Sequence, residues 1–271
     1  MPTAGVEAVR AAYEAFQRGD LDAALAHVDP QVEISDPERA GAGPFRGREA
    51  YLAWLAEWVE TWERYEYEIE ALVDLVDQVV VIVRHRGRAG GSGIEIDQRG
   101  ATVHAVRDGM IAGVRPYSRA DEALEAAGLD DGPAWLAAID TVLSGYAAWN
   151  RRDVDGIAAL LEPGFEFIPL TQSPDNPPFG DREGLDRFVA SSREAWEEFL
   201  FDPRAFTPAA DRLMVELQVQ ARARHTGIEL EERWAHVYTV REGRVVRMEA
   251  FRSRDEAVAA LGEYRGGFAA T

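Results

Sequence analysis

An aspartate at the end of an alternating segment is the residue in this chain best placed to carry chemistry. Residues Val32–Pro37 alternate apolar and polar types, which predicts a short strand with one buried face. Asp36 ends that strand, and Pro37 holds it there. A carboxylate at the rim of a cavity is a candidate general base. The alternative is that Asp36 caps the turn with its own backbone, as Asp-Pro often does.

The sequence lacks the residue patterns of several other common catalytic, phosphate-binding and metal-binding sites. The chain has no cysteine, which excludes disulfides, a thiolate nucleophile and a cysteine-ligated metal. No glycine-rich phosphate loop follows a strand and opens a helix. The histidines show neither metal-ligand spacing nor a clustered carboxylate, so we predict no metal and no cofactor. They are His27, His85, His104, His225 and His236.

Charge and length restrict the class of protein further. The 271 residues suffice for two ordinary domains. The net charge of −19 argues against nucleic acid and anionic membranes as partners. No apolar run approaches the ~20 residues of a membrane span, and the N-terminus lacks a secretory signal pattern. We therefore expect a cytoplasmic protein without a membrane partner.

The first half of the chain reads as helix, helix, strand, helix and then four strands. Trp54, Trp58 and Trp62 recur every fourth residue, which places them on one face of the third helix. Asp20 is placed to cap the second helix, Pro30 is predicted to end it, and Asp108-Gly109 indicates a tight hairpin. The predicted helices are Val6–Arg18, Leu21–Val28, Gly47–Arg64 and Asp121–Ala127; the four late strands are Tyr65–Val73, Gln78–Arg86, Ile94–Val106 and Met110–Tyr117.

The same order returns in the second half. Between Tyr13–Ile34 and Tyr146–Phe167, 8 of 22 positions are identical at an offset of 133, and later matches follow at 134. Matches spread over a whole unit at a nearly fixed offset indicate two copies of one domain. We place these copies at residues 1–128 and 134–271, joined by Gly128–Pro133. Helices followed by runs of strands predict an α+β fold with an antiparallel sheet.

Four motifs carry a resemblance to a known superfamily. They are Gly19–Asp22, Val32–Pro37, Phe45–Glu49 and Val106–Gly109. With them the chain resembles the nuclear-transport-factor-2-like superfamily, in its SnoaL-like and ketosteroid-isomerase-like branch. The resemblance implies two tandem cone-shaped domains, each a strongly curved antiparallel sheet wrapped around a long helix (a cystatin-like α+β roll) with a cavity at its mouth. Members include isomerases, cyclases, hydrolases, dehydratases and non-catalytic binders, so the fold alone does not name the reaction.

The resemblance also implies roles for single residues. Asp36 matches the catalytic aspartate of the steroid isomerases of this fold. Tyr13 lies one residue from the family's oxyanion-hole tyrosine, a rotation of about 100° on a helix, so the alternative is that it points elsewhere in the core. The carboxylic acid of the family's oxyanion hole corresponds to Thr102, which cannot play that role. His104, two residues later on the same face, is a candidate hydrogen-bond donor to an oxyanion or a candidate acid–base; the alternative is a purely structural histidine. Predicted substrate-binding residues of this half are Phe16, Trp54, Trp58 and Thr102, the tryptophans serving as core or as cavity wall.

The second copy has lost the carboxylate. At the offsets above, Asp36 corresponds to Pro169, Thr102 to His236 and His104 to Tyr238. An aromatic pocket of that kind suits binding or packing rather than proton abstraction. Its predicted lining residues are Trp149, Trp196, Trp234, His236 and Tyr238.

Two functions follow as hypotheses. The first is a cofactor-independent acid–base enzyme acting on a hydrophobic small molecule, as an isomerase, a polyketide-cyclase-like lyase or a hydrolase, with Asp36 as its base. The second is a non-catalytic protein or pseudoenzyme that binds an apolar ligand, which needs no carboxylate. The runs Val79–Val83 and Leu213–Val219 are largely apolar on both faces, which indicates cover on both sides. Because relatives pair through their sheets, we expect an intrachain pseudo-dimer that is monomeric in solution.

Overall fold

A computed structural model describes residues 3–37, 44–91, 93–171 and 177–265. The chain forms two compact units, which meet along the sequence between Leu136 and Ala137. Each unit has helices and a curved sheet in the predicted order, so the tandem α+β fold is confirmed. Within the described residues, no helix combines the length and the apolar character needed to cross a bilayer.

The N-terminal unit contains four helices and six strands among its described residues. The helices are α1 (Ala4–Gln17), α2 (Leu21–Ala26), α3 (Arg48–Glu60) and α4 (Ala120–Ala126). The strands are β1 (Val28–Ile34), β2 (Phe45–Arg46), β3 (Trp62–Asp74), β4 (Gln78–Ala89), β5 (Glu95–Arg107) and β6 (Met110–Tyr117).

The C-terminal unit repeats this order, and its first helix begins shortly before the boundary. The helices are α5 (Gly132–Asn150), α6 (Val154–Ala159), α7 (Arg182–Ala195) and α8 (Arg254–Arg265). The strands are β7 (Leu161–Ile168), β8 (Trp196–Ala209), β9 (Arg212–Ala223), β10 (Glu229–Arg241) and β11 (Arg244–Phe251).

The two units share one strand topology. The N-terminal strands lie in the order β2-β1-β6-β5-β4-β3, and the C-terminal strands in the order β7-β11-β10-β9-β8. Neighbouring strands run antiparallel, except that β1 pairs in parallel with β6 and β7 pairs in parallel with β11. The second unit is therefore the same fold, with equivalent strands at equivalent places.

Bulges at repeated positions bend both sheets. The register of β3 against β4 shifts between Ile69 and Ala71, and that of β8 against β9 shifts between Pro203 and Ala205, 134 residues later. A bulge inserts an extra residue on one strand, and the strand bends and twists more strongly there. Such bends give each sheet a concave face that helices can partly cover.

Successive side chains of β10 point to opposite faces of its sheet. Ala235 and Val237 pack with Met214 of β9 and Ala257 of α8 in one buried cluster, while His236 between them faces a cavity. Helix α4 contacts β4, β5 and β6 in the first unit. Helices inside each unit thus supply cover for part of the doubly apolar strands. The intrachain pseudo-dimer stays a prediction, which the mass in solution would test.

Local signals placed caps and turns correctly, whereas several element boundaries were wrong. The first strand runs from Val28 to Ile34, so Asp36, which was predicted to end it, lies two residues beyond the strand. The Asp20 carboxylate accepts the backbone N–H of Ala23 at 3.0 Å and caps α2, as predicted. That helix ends at Ala26, however, and β1 begins at Val28, so Pro30 lies inside a strand instead of ending a helix. Trp62 is not on α3 but opens β3, because pairing with β4 replaces the helical spacing there.

Candidate functional site

The N-terminal unit contains a cavity of about 610 Å³ between its first three helices and the concave face of β3–β6. This volume is typical of pockets that bind drug-sized ligands. Every residue predicted for this site lines it: Asp36, His104, Tyr13, Trp54, Trp58, Phe16 and Thr102.

A tyrosine–histidine pair forms the polar centre of this cavity. The hydroxyl of Tyr13 on α1 lies 3.0 Å from Nε2 of His104 on β5, and the two rings meet edge to face. The hydroxyl of Tyr67 on β3 donates to the backbone carbonyl of Tyr13 at 3.1 Å. These bonds fix α1 against the sheet with the Tyr13 ring turned towards the cavity, which settles the orientation that the sequence left open.

Burial keeps both members of the pair neutral. His104 is 1% exposed, and this burial lowers its pKa to about 3. Burial likewise raises the pKa of the Tyr13 phenol; nearby Tyr51 adds to the rise, and the neighbouring Thr102 hydroxyl opposes it. At neutral pH the imidazole is uncharged and the phenol keeps its proton. The pair can therefore redirect hydrogen bonds without holding a charge.

The predicted base, Asp36, lines the cavity. Its side chain is half-buried and follows the end of β1 by two residues. The strand end is held because the backbone N–H of Ser35 donates to the carbonyl of Val114 at 3.0 Å. Glu57, exposed on α3, is the other carboxylate among the described lining residues. Among the described residues no three potential metal ligands come together.

A second tyrosine–histidine pair in the same cavity was missed from the sequence. The Tyr65 hydroxyl lies 2.6 Å from Nδ1 of His85, and the Trp58 ring packs edge-on against both rings. Burial raises the pKa of Tyr65 and lowers that of His85. Tyr65 and Tyr67 lie two residues apart on one strand and therefore point to the same face. This spacing is the sequence signal that could have identified Tyr65 as a cavity residue. Only the register of β4 against β3 brings His85 to that face.

The C-terminal unit has an equivalent cavity of about 530 Å³. Pro169 lies in its wall at the position of Asp36, so the carboxylate is missing there. All predicted residues of this half line the cavity: Trp149, Trp196, Trp234, His236 and Tyr238. Lining residues that the sequence analysis missed include Phe167, Phe179, Phe188, Phe199, Phe201 and Arg252.

The tyrosine–histidine pair recurs in this cavity with its histidine on a different residue. The Tyr146 hydroxyl lies 3.0 Å from Nδ1 of His236, and the Tyr238 hydroxyl lies 3.5 Å from the same atom. Tyr146 corresponds to Tyr13, but His236 corresponds to Thr102 rather than to His104. Burial lowers the pKa of His236 to about 3, so this pair is neutral as well. The pairing survives because positions two apart on a strand point to the same face.

Comparison with known proteins gives a family match. The SnoaL-like domain family matches residues 9–114 and again 142–248. No curated protein matches the chain. Similar solved structures include TerC co-crystallised with polyporic acid (22% identity, 46% of this chain, 98% of the other, TM-score 0.40). An NTF2-like protein from Burkholderia thailandensis is 24% identical over 45% of this chain and 95% of its own, with TM-score 0.38. A protein with a ketosteroid isomerase-like fold from Catenulispora acidiphila, in complex with trimethylamine, is 14% identical over 45% and 92%, with TM-score 0.38.

Proposed function

Because the chain belongs to the family of SnoaL-like domains, we propose that its N-terminal unit is a cofactor-independent acid–base enzyme for an apolar carbonyl compound. One observation carries the proposal: Asp36 and the neutral Tyr13–His104 pair line the same cavity of about 610 Å³. A base and a hydrogen-bond donor in one apolar pocket are the two groups that proton abstraction next to a carbonyl requires.

The Asp36 carboxylate acts as the base. It removes a proton from the carbon next to the carbonyl; the C–H electron pair forms a carbon–carbon double bond, and the carbonyl π pair moves onto oxygen. The resulting enolate is held in the cavity while Asp36 carries the proton as a carboxylic acid. Return of that proton to a conjugated carbon completes an isomerisation, and Asp36 is again a carboxylate.

Tyr13 donates the hydrogen bond to the enolate oxygen. A phenol oxygen has one proton and can accept two hydrogen bonds. With a proton on Nε2, His104 donates to this oxygen. The phenol proton is then free to point at the substrate. The other tautomer uses the Tyr13 proton on Nε2, so a bound carbonyl selects the first.

Hydrogen–deuterium exchange on 2-tetralone tests this mechanism. This two-ring ketone has exchangeable protons beside its carbonyl, and proton NMR in D₂O follows their loss. We expect the wild-type protein to accelerate exchange above buffer, and Asp36→Asn to lower the acceleration about 100-fold or more, as for loss of a general base. Tyr13→Phe should lower it roughly tenfold to a hundredfold, since a hydrogen bond to a charged group is worth ~1.5–3 kcal/mol.

The C-terminal unit supplies the matched control. Tyr146→Phe removes the equivalent hydroxyl from the other cavity and should leave the exchange rate unchanged. Exchange that persists at the wild-type rate in Asp36→Asn, while that variant still binds 2-tetralone, would show that Asp36 is not the base.

Non-catalytic binding of an apolar ligand is the second candidate function. The C-terminal unit favours it, because that unit keeps the cavity and the tyrosine–histidine pair while Pro169 replaces the carboxylate. The exchange experiment, combined with a binding titration of 2-tetralone, separates the candidates: a wild-type protein that binds 2-tetralone without accelerating its exchange is a binder.

A further inference from the structure

The two cavities differ in the charge of their linings. In the N-terminal cavity, the charged residues among the described lining are the carboxylates Asp36 and Glu57. The described lining of the C-terminal cavity has one cation, Arg252, and one anion, Glu232. Arg252 corresponds to Ser118 of the first unit at the offset of 134. The first opening therefore repels an anion, whereas the second offers it a cation.

The Arg252 guanidinium is available to a ligand. Among the described residues, the guanidinium donates to the hydroxyl of Thr171 at 3.3 Å. The neighbouring Glu256 carboxylate accepts the backbone N–H of Arg252 at 3.0 Å, and the Glu232 carboxylate accepts the indole N–H of Trp234 at 2.7 Å. No carboxylate in the described part of the chain lies within ion-pair distance of this guanidinium. Guanidinium groups bind carboxylates through charge-assisted hydrogen bonds.

The rest of the cavity favours a flat aromatic body. Nδ1 of His236 is taken by Tyr146 and Tyr238, which leaves Nε2 without a hydrogen bond to any described residue. Around His236, the aromatic rings of the lining pack against one another at centroid distances of 4.6 to 6.2 Å. This range is typical of favourable aromatic pairs. The rings are Trp149, Phe167, Phe179, Phe188, Trp196, Phe199, Phe201 and Trp234.

We propose that the C-terminal cavity is a separate, non-catalytic binding site for a planar aromatic acid. The aromatic body lies among the rings, and its carboxylate pairs with Arg252 at the opening. The site does not depend on Asp36 or on any reaction in the N-terminal cavity. One chain thus holds two cavities of the same fold that select ligands by charge.

Calorimetric titration with 2-naphthoate and its neutral amide, 2-naphthamide, tests the proposal. We expect the wild-type chain to bind one 2-naphthoate, and Arg252→Ser to weaken that binding about tenfold or more while affinity for 2-naphthamide stays unchanged. Ser118→Ala, at the matched position of the first unit, should leave 2-naphthoate binding as it is. An equal loss for acid and amide would assign Arg252 a structural role and overturn the proposal, as would a wild-type chain that does not bind 2-naphthoate.

Filling one cavity at a time locates the ligand. A Cβ added at Gly145 on α5 meets nothing nearer than Cδ1 of Leu160, at 3.9 Å, so a larger side chain there extends into the C-terminal cavity. Gly145→Leu should abolish 2-naphthoate binding, and Ala12→Leu, which fills the N-terminal cavity at the corresponding position, should not. Blocking by Ala12→Leu instead would overturn the assignment. Arg252→Ser remains decisive if Gly145→Leu fails to fold.

Discussion

Acid should destabilise the N-terminal unit through His104. Burial lowers the pKa of this imidazole to about 3 in the folded chain, while an unfolded histidine titrates near ~6.5. Between these values the unfolded chain binds one more proton than the folded chain, so the free energy of unfolding falls as the pH drops below about 6.5. At pH 5, about 1.5 units below that value, the loss is about 2 kcal/mol, because each unit is worth ~1.36 kcal/mol.

A matched variant isolates this contribution from that of other titrating groups. His104→Tyr installs the residue that the second unit has at this position, Tyr238, and removes the titrating imidazole. Urea unfolding of both proteins at pH 7 and pH 5 gives the difference in their free energies of unfolding. Between these two pH values, that difference should move by about 2 kcal/mol in favour of the variant.

Proton NMR checks the same pKa directly. The ring resonances of His104 should stay constant between pH 8 and pH 5, because the folded imidazole does not gain its proton in that range. A midpoint near 6.5, or a stability difference independent of pH, would refute the reasoning that burial holds the tyrosine–histidine pair neutral.

Further predictions concern packing. Arg254 Nε donates to Oε1 of Glu216, a carboxylate 5% exposed, at 3.1 Å. Arg254→Ala should lower the free energy of unfolding in urea by about 3 kcal/mol, because the buried carboxylate loses this cation. The double change to leucine at both positions should recover most of that loss. Gly100→Ala should lower the melting temperature, since its Cβ would meet the carbonyl oxygen of Tyr117 at 2.9 Å. Gly145→Ala should raise it, because the helical site has room and alanine favours a helix by up to ~1 kcal/mol; equal shifts for the two glycines would contradict the steric argument.

Much of the architecture was readable in the sequence because its signals are local or repeated. The offset of 133 to 134 predicted two units of one fold, and both units have the same strand order. Asp20 caps α2, and Asp108 and Gly109 adopt the positive φ angles, 51° and 74°, that a tight hairpin needs. Caps and two-residue turns depend on residues only a few positions apart, so a short stretch of chain is enough to determine them.

Only the tertiary structure determined where some helices and strands begin and end and which side chains pair in the cavities. Strand pairing, which no local pattern encodes, drew Val28 and Trp62 out of their predicted helices. The sequence placed Tyr13 and His104 on elements 91 residues apart, and only the packing of α1 against β5 joined their side chains. In the second unit the partner of the helix tyrosine is His236, two positions before the counterpart of His104 on the equivalent strand, and both positions line the cavity. Which side chains meet across a curved sheet follows from register and bending, and these are set by contacts between residues far apart in the chain.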